Sequence, residues 1–170
     1  MDIDIRVQHD DFSSQQETDW LRANAADAGA VVTFSGLVRG QENGRDIRAL
    51  VLEHYPGMTE KSLQAIVDEA ATRWPLLGVV IIHRIGELLP GEQIVFVGIS
   101  SAHRAAAFAA CDFLMDYLKT QAPFWKKEVT PAGARWVDAR VSDDAAMARW
   151  AASAMGALGA RNASSKLPGS

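Results

Sequence analysis

Two groups of cationic side chains have the types and spacing needed to bind and process a negatively charged molecule. The first group is His103 and Arg104, which open a predicted helix. The second group lies at the far end of that helix and just beyond it, and comprises Lys119, Lys126 and Lys127. A helix start binds anions because its free backbone N–H groups and the positive end of its dipole point the same way. The sequence therefore predicts a site for an anionic substrate.

The helix that carries these groups is predicted to run from Ala102 to about Gln121. Ser100 and Ser101 precede it and are of the residue type that satisfies the free N–H groups of a first turn. Pro123 follows its end, as expected for a residue that cannot continue a helix. Steps of three or four residues place five side chains on one side of this helix, namely Arg104, Phe108, Cys111, Met115 and Lys119.

The two cationic groups are too far apart on one helix for a small substrate to touch both. The interval from Arg104 to Lys119 corresponds to roughly 22 Å along a helix. Either the two groups serve different sites, or a second copy of the chain brings its His103 and Arg104 to the first copy's Lys119. We favour the second arrangement, which predicts a homodimer with composite sites.

Composition narrows the class of protein. A chain of 170 residues suits one domain with a proper core, and a net charge of −4 argues against general affinity for nucleic acid. No apolar run approaches the roughly 18 residues that a membrane span needs, and the acidic N-terminus does not resemble a secretory signal. The single cysteine, Cys111, excludes an internal disulfide framework and a cysteine-based zinc cage. We expect a cytoplasmic protein that binds neither nucleic acid nor membranes.

The first half of the chain alternates strands and helices. Apolar residues at every second position predict a strand over residues 3–7, and Ser14 with Glu17 forms the pattern of a capping box. The helix that follows is predicted to end near Gly29. The pattern then predicts a strand over residues 30–36, a polar loop over 40–44 and a third strand over 47–55.

The second half continues this alternation and defines the fold class. Thr59 is predicted to cap a helix that ends at Pro75, and residues 78–85 and 93–99 are predicted to form an antiparallel hairpin of strands. After the long helix, short strands are predicted over 128–130 and 134–137. The order of elements predicts an α+β fold in which mixed or antiparallel sheets pack against helices. We predict one domain over residues 1–150 and a flexible tail over 151–170. A loose alanine-rich helix is predicted over 145–157, and residues 162–170 have the composition of a disordered segment.

Four motifs give the chain a specific resemblance. They are FSGLVRG at residues 34–40, HRIGELLPGE at 83–92, SSAHR at 100–104 and MDYLKTQAPFWKKE at 115–128. Together, and in this order, they resemble the large, catalytic subunits of molybdopterin synthase over residues 3–150. The resemblance implies an α/β hammerhead-type fold and a central homodimer. It also implies that each protomer binds a small ubiquitin-like sulfur-carrier subunit, giving a heterotetramer of two large and two small subunits.

The same resemblance implies an activity and a set of site residues. The family converts cyclic pyranopterin monophosphate (precursor Z) to molybdopterin, using two sulfurs from the thiocarboxylate at the C-terminal Gly-Gly of the small subunit. No metal or organic cofactor is implied. The catalytic residues carried over are Lys119 and Lys126. The substrate-binding residues carried over are Leu37, Val38, Arg39, His103, Arg104, Lys119, Lys126, Lys127 and Glu128.

Each residue type suits the chemistry that the resemblance implies. Arginine offers paired donors to phosphate oxygens, so Arg39 and Arg104, with His103, are predicted to neutralise the cyclic phosphate. Lys119 is predicted to exchange protons near neutrality, and Lys126 to stabilise developing negative charge. Arginine is common in the family at the position of Lys127, and lysine keeps the charge there but loses the planar fork.

Several residues have competing interpretations. His54 and His83 lie in predicted strands and are interpreted as structural, while Cys111 has apolar helical neighbours and is expected to pack rather than to react. Phe34, Phe124 and Trp125 could stack on a pterin, although such aromatic residues more often belong to a core or a partner contact. Glu128 could orient Lys126 or bind the pterin ring. Arg140 is a candidate to reach a phosphate from a second protomer.

Two non-enzymatic functions remain as alternatives at this stage. One is a module that docks a ubiquitin-like protein through Phe34 and the aromatic run near Pro123. The other is a sensor of phosphorylated ligands that uses His103 and Arg104 alone. A docking module would not need Lys119 and Lys126 at a pocket. The presence of these lysines together with His103 and Arg104 therefore favours an enzyme.

Overall fold

The computed structural model describes residues 1–137, 145 and 147–151. The elements in chain order are β1 (Asp2–Gln8), α1 (Ser14–Ala23), β2 (Ala30–Leu37), β3 (Gln41–Glu42), β4 (Arg45–Asp46), β5 (Ala49–His54), α2 (Met58–Arg73), β6 (Gly78–Arg84), β7 (Gly86–Leu88), β8 (Gln93–Ser101), α3 (Arg104–Thr120), β9 (Phe124–Thr130) and β10 (Gly133–Val137). The structure has two four-stranded sheets, and α1, α2 and α3 pack against the first of them, which confirms the predicted α+β class. Within the described residues, no helix is both long and apolar enough to cross a membrane.

The first sheet has the strand order β1-β6-β8-β2 and forms the centre of the molecule. β1 runs parallel to β6, whereas β8 is antiparallel to both β6 and β2. All seven residues of β6 are buried, because helices cover both faces of this strand. The strand over 78–85 and its hairpin with 93–99 are therefore confirmed.

Side chains of β6 alternate between two parts of the core. Val79 and Ile81 pack with the apolar faces of α2 and α3, while Val80 and Ile82 pack with Leu21 of α1 on the other face. This alternation follows from the period of two in a strand. Fully burying an aliphatic side chain of this size is worth about 2 kcal/mol, so a strand buried on both faces is a main source of stability.

The second sheet has the order β10-β9-β5-β7 and is antiparallel throughout. Opposite residues in an antiparallel pair point to the same face. Lys126 lies opposite Leu52, and Glu128 lies opposite Leu50. Leu50 and Leu52 are buried in a small cluster that also contains Val38. The even-numbered positions of β9 from 124 to 130 therefore face inward, and Trp125, Lys127 and Val129 face the other way.

The predicted polar loop over 40–44 contains a two-stranded hairpin, β3–β4. Its turn residues, Asn43 and Gly44, both have positive φ angles, of 51° and 73°. Asn-Gly is the dipeptide that tight hairpin turns favour, because glycine adopts positive φ freely and asparagine tolerates it. The hairpin spans residues 41–46, so the prediction of a loop over 40–44 omits this tight turn.

Several predicted helix ends were wrong by a few residues. Ser13, not Ser14, caps α1 by accepting a hydrogen bond from the backbone N–H of Gln16 at 3.3 Å. That helix ends at Ala23, well before Gly29. The N-cap of α2 is Gly57 rather than Thr59, and Glu60 accepts the N–H of Gly57 at 2.7 Å.

The start of α3 also differs from the prediction. Ser100 and Ser101 are buried in β8, and the N-cap is His103, which makes no side-chain capping bond. The hydroxyl of Ser101 instead donates to the carbonyl of Pro75 at 2.8 Å. The same hydroxyl also accepts the backbone N–H of His103 at 3.4 Å, so Ser101 contacts the start of the helix although it is the last residue of β8.

At the C-terminal end of the fold, β9 begins at Phe124 and is longer than predicted. The predicted helix over 145–157 is helical at residues 145 and 147–151, and its other residues lie outside the described part of the chain. Arg140 and almost all of the predicted tail also lie outside it.

Candidate active site

Lys119 lies in the last turn of α3, where a cation is favoured by the negative end of the helix dipole. The helix closes one residue later, and the backbone N–H groups of Gln121 and Ala122 both donate to the carbonyl of Tyr117. Pro123 then directs the chain into β9. The side chain of Lys119 is exposed, so it is available to a ligand.

A cavity of about 720 Å³ opens beside Lys119, between β2 and α3. Its walls are mainly apolar, and Phe34 of β2 faces Phe108, Cys111 and Met115 of α3 across it. These three helix residues belong to the side predicted from the sequence, whereas Arg104 does not line the cavity. A volume of this size is typical of small-ligand sites.

Trp150 closes part of this cavity, and sequence reasoning missed it. Its indole N–H donates to the carboxylate of Asp116 at 2.6 Å. Arg149 donates to both Asp112 and Asp116, at 2.9 and 3.0 Å. Asp112 and Asp116 could have been found from their helical spacing to Lys119. Trp150 is distant in sequence and offered no comparable signal.

Among the residues that the structure describes, β2, which borders the cavity, is the last strand of its sheet, and one of its two edges is not paired there. Thr33, Phe34 and Ser35 of this strand are all exposed. The backbone N–H and C=O groups along such an edge can pair with an added extended segment. An apolar cavity, a lysine and an accessible strand edge therefore lie side by side.

Lys126, Lys127 and Glu128 do not all reach the same surface. Lys126 and Glu128 are on the same face of β9, where the side chain of Lys126 is exposed and that of Glu128 is buried. The carboxylate of Glu128 accepts a hydrogen bond from the guanidinium of the exposed Arg135 at 3.5 Å. Lys127 is on the outward face, where its ammonium lies 5.2 Å from the ring centre of Trp136. The strand period thus separates Lys127 from the other two predicted substrate-binding residues.

The segment 37–39 leaves the end of β2 just after a break in strand register between Gly36 and Leu37. Val38 is buried in the cluster that lines the inward face of β9. Arg39 is exposed, and its guanidinium is 2.7 Å from the carboxylate of Glu42. The structure therefore brings Val38 to the same face of the second sheet as Lys126 and Glu128.

His103 and Arg104 are exposed at the opposite end of α3 from Lys119. The rise of a helix separates the two ends by roughly 22 Å. One copy of the chain therefore does not bring these residues to the cavity beside Lys119.

His83 is a buried neighbour of the β9 lysines. Its Nδ1 is 2.8 Å from the carbonyl oxygen of Arg84, and its ring lies against Phe124. The pKa of His83 is lowered to about 4, mainly by burial and to a smaller extent by the charges of Lys126 and His54, while the hydrogen bond to Arg84 acts in the opposite direction. A neutral imidazole in the core is consistent with the structural interpretation of this residue.

Cys111 is buried at the cavity wall. Burial raises the pKa of its thiol to about 11, and the neighbouring Asp112 acts in the same direction. The thiol therefore stays protonated at neutral pH. Cys111 packs in the core as expected, and its lack of reactivity stays a prediction. Among the described residues, no cluster of three or more His, Cys, Asp or Glu side chains could hold a metal ion.

The chain is similar in sequence to known proteins over most of its length. The sequence profile of the family described as MoaE protein matches residues 7–121. The molybdopterin synthase catalytic subunit of Vibrio cholerae is 60% identical over 150 residues, which cover 88% of this chain and 99% of that protein. The protein of the same name from Escherichia coli is 62% identical over 139 residues, covering 82% of this chain and 92% of that one.

A solved structure gives the same result for the fold. The molybdopterin biosynthesis MoaE protein from Burkholderia ambifaria has a TM-score of 0.76 and 55% sequence identity, covering 89% of this chain and 99% of that one. The extent of these matches confirms the resemblance derived from the four motifs. This chain belongs to the MoaE family.

Proposed function

We propose that this chain is the catalytic subunit of molybdopterin synthase, an enzyme of molybdenum cofactor biosynthesis. It converts precursor Z to molybdopterin with sulfur from the thiocarboxylate of a small, ubiquitin-like partner. Membership of the MoaE family supports the enzyme over a docking module. The observation that carries the proposal is the position of Lys119, exposed at an apolar cavity that borders an unpaired strand edge.

This arrangement suits the flexible Gly-Gly tail of the small subunit. Glycines have no side chains, so an extended tail can approach the edge of β2 closely and pair with its backbone. Phe34, Phe108 and Met115 contribute apolar walls beside the end of the tail. Lys119 then faces the terminal thiocarboxylate.

The reaction is a sulfur transfer in which sulfur replaces an oxygen of the pterin side chain, and it needs no oxidant or reductant. The thiocarboxylate sulfur attacks a carbon of the pterin side chain and forms a C–S bond, while an oxygen leaves that carbon and takes a proton. Water then hydrolyses the resulting thioester, so that sulfur stays on the pterin and the tail ends in a carboxylate. Lys119 supplies the proton, and Lys126 stabilises negative charge on the acyl oxygen. A second small subunit delivers the second sulfur.

The phosphate of precursor Z is held by cations from two protomers. His103 and Arg104 are too far from Lys119 on one chain, so a second copy supplies them, and Arg39 comes from the first. The working assembly is a homodimer that binds two small subunits, which makes a heterotetramer. No metal or organic cofactor enters the scheme, and the cytoplasmic location expected from the sequence stays a prediction.

A reconstitution with two forms of the small subunit tests the proposal. The chain is incubated with precursor Z and with small subunit ending either in a thiocarboxylate or in an ordinary carboxylate, and dithiolene formation is followed by mass spectrometry. We expect product only with the thiocarboxylate, although both forms bind. Binding of both forms with no product from either would favour the non-enzymatic docking module.

A further inference from the structure

Arg84 is a buried charged residue that the scheme above does not use. It ends β6, and only 7% of its surface is exposed. Its Nε donates to the carbonyl of His9 at 3.1 Å, and its Nη1 donates to the carbonyl of Gln93 at 3.1 Å. The carboxylates of Glu92 and Asp11 lie 3.6 and 3.8 Å from the same Nη1. Burying a guanidinium is costly unless it is well paired, so these contacts show a site built around one arginine.

The partners of Arg84 belong to two segments that are far apart in the sequence. His9 and Asp11 are in the loop between β1 and α1, whereas Glu92 and Gln93 are in the turn that leads into β8. The side-chain amide of Gln93 ties these segments further by donating to Asp11 and to the carbonyl of Phe12. Arg84 thus fixes the position of the turn over residues 89–93.

That turn holds the backbone of Val38 from both sides. The N–H of Val38 donates to the carbonyl of Glu92 at 2.9 Å, and the carbonyl of Val38 accepts the N–H of Gly91 at 2.8 Å. The carboxylate of Glu92 also accepts the N–H of Leu89, which closes the turn. Val38 lies beyond the register break of β2, so these two bonds, rather than the sheet, fix the path of the chain there.

We propose that Arg84 is a positioning residue for the substrate segment 37–39: it fixes the 89–93 turn, which in turn fixes the Val38 backbone and the origin of the Arg39 side chain. This inference rests on the proposed function, in which Arg39 binds the phosphate of precursor Z. Arg84 itself does not touch the substrate. Its loss therefore weakens substrate binding more than it slows the chemical step.

The experiment compares Arg84→Met and Arg84→Lys with a matched control, Arg6→Met. Arg6 is a partly buried arginine that pairs with the buried Glu17, on β1 at the edge of the sheet opposite β2. Amide hydrogen exchange at Val38 and Gly91 is measured by NMR, and kcat and KM for precursor Z are measured with saturating thiocarboxylated small subunit. Cooperative thermal unfolding identifies the variants that fold.

We expect Arg84→Met to speed exchange at Val38 and Gly91 by about tenfold or more relative to the amides of β6. We expect its KM for precursor Z to rise about tenfold, with kcat within about threefold of wild type. Exchange rates and KM of Arg84→Lys should lie between those of wild type and Arg84→Met. Arg6→Met should change neither exchange at these amides nor KM. If Arg84→Met does not fold, Glu92→Gln replaces it in the experiment. This substitution weakens the contact between Arg84 and the side chain of residue 92, and we expect the same effects on exchange and KM.

Unchanged exchange at Val38 and Gly91, or an unchanged KM, would overturn the proposal. An equal rise of KM in Arg6→Met would overturn it as well, because loss of stability alone would then explain the effect. If wild-type protein makes no product, the proposed function fails, and the exchange measurement still decides whether Arg84 positions the segment.

Discussion

The imidazole ring of His83 stacks on the phenyl ring of Phe124, with ring centroids 3.7 Å apart and 16° between the ring planes. This contact joins the buried strand β6 to the first residue of β9. Lys126 follows two residues later on the same face of β9. The stack therefore fixes the start of the strand that carries a predicted catalytic lysine.

The buried state of His83 predicts an acid-sensitive stability. Its pKa is lowered from 6.5 to about 4 in the folded protein. Between pH 6.5 and pH 4, His83 is therefore protonated in the unfolded chain and neutral in the folded chain. Stability is fully present above pH 6.5 and falls by about 1 kcal/mol per pH unit as the pH drops toward 4. Urea unfolding of wild type and His83→Gln at pH 7, 6 and 5 measures this contribution.

The difference in unfolding free energy between wild type and His83→Gln should shrink steadily over that range. Carboxylates that titrate at the low end contribute equally to both proteins and cancel in the difference. A difference that stays constant from pH 7 to pH 5 would show that His83 is not held neutral.

Thr59 provides a second anchor for the start of β9. Its hydroxyl is fully buried, accepts the N–H of Tyr55 at 3.0 Å and donates to the carbonyl of Pro123 at 3.1 Å. Thr59→Val keeps the shape but leaves both backbone groups unpaired, so we expect a loss of about 1–3 kcal/mol in unfolding free energy. Thr72→Val is the matched control, because the hydroxyl of Thr72 is exposed on the same helix.

Thermal and urea unfolding of the two threonine variants check this prediction. Thr72→Val should lie within about 0.5 kcal/mol of wild type, as most surface substitutions do. Equal effects of the two substitutions would mean that the link from Thr59 to Pro123 contributes nothing measurable.

Cys111 should resist thiol reagents in the folded protein. It is 6% exposed, and burial raises the pKa of its thiol to about 11, so both access and thiolate content are low at pH 8. We expect labelling by a chromogenic disulfide reagent to be at least about 100-fold slower in buffer than in denaturing urea. Rapid labelling without urea would identify a reactive thiol and would contradict the expectation that Cys111 only packs.

A composite site predicts recovery of activity when two inactive chains are mixed. Arg104→Ala and Lys119→Ala are each expected to be inactive as homodimers. Random reassociation makes about half of the dimers mixed, and each mixed dimer has one site with both native side chains. We therefore expect about a quarter of wild-type activity, measured as dithiolene formation after co-refolding or co-expression. An absence of recovery in verified heterodimers would mean that both residues serve a site within one chain.

The framework of the fold could be predicted because local patterns and tertiary burial agree there. Residues 78–82 of β6 form a continuous apolar run, and only a strand covered on both faces buries all of them. Helix ends were harder, because Ser13 and Ser14 are chemically equivalent caps and only the local backbone chooses between them. Thr59 looked like a cap, but the chain uses its hydroxyl to bind Pro123, a contact across distant residues that no local pattern encodes.

Part of the site could also be predicted, because local helical spacing and burial agree on one side of α3. Helical spacing correctly placed Phe108, Cys111, Met115 and Lys119 on one side of α3. Trp150 reaches the same cavity through contacts between distant residues: its ring packs against Trp74 and Phe113, and its indole N–H donates to Asp116 of α3. Such contacts are set by the folded chain. The separation of Lys127 from Lys126 also depends on β9 beginning at Phe124, which the sequence pattern did not predict.

Single-turnover sulfur transfer by Lys119→Ala tests the central role of Lys119 most directly. The variant and wild type are each saturated with thiocarboxylated small subunit, mixed with precursor Z and quenched over time, while binding of the small subunit is measured separately. We predict unchanged binding and a rate of transfer at least about 100-fold lower, as expected for loss of a general acid. Transfer at the wild-type rate by a fully bound Lys119→Ala complex would contradict the assignment of Lys119 as the catalytic residue at this cavity.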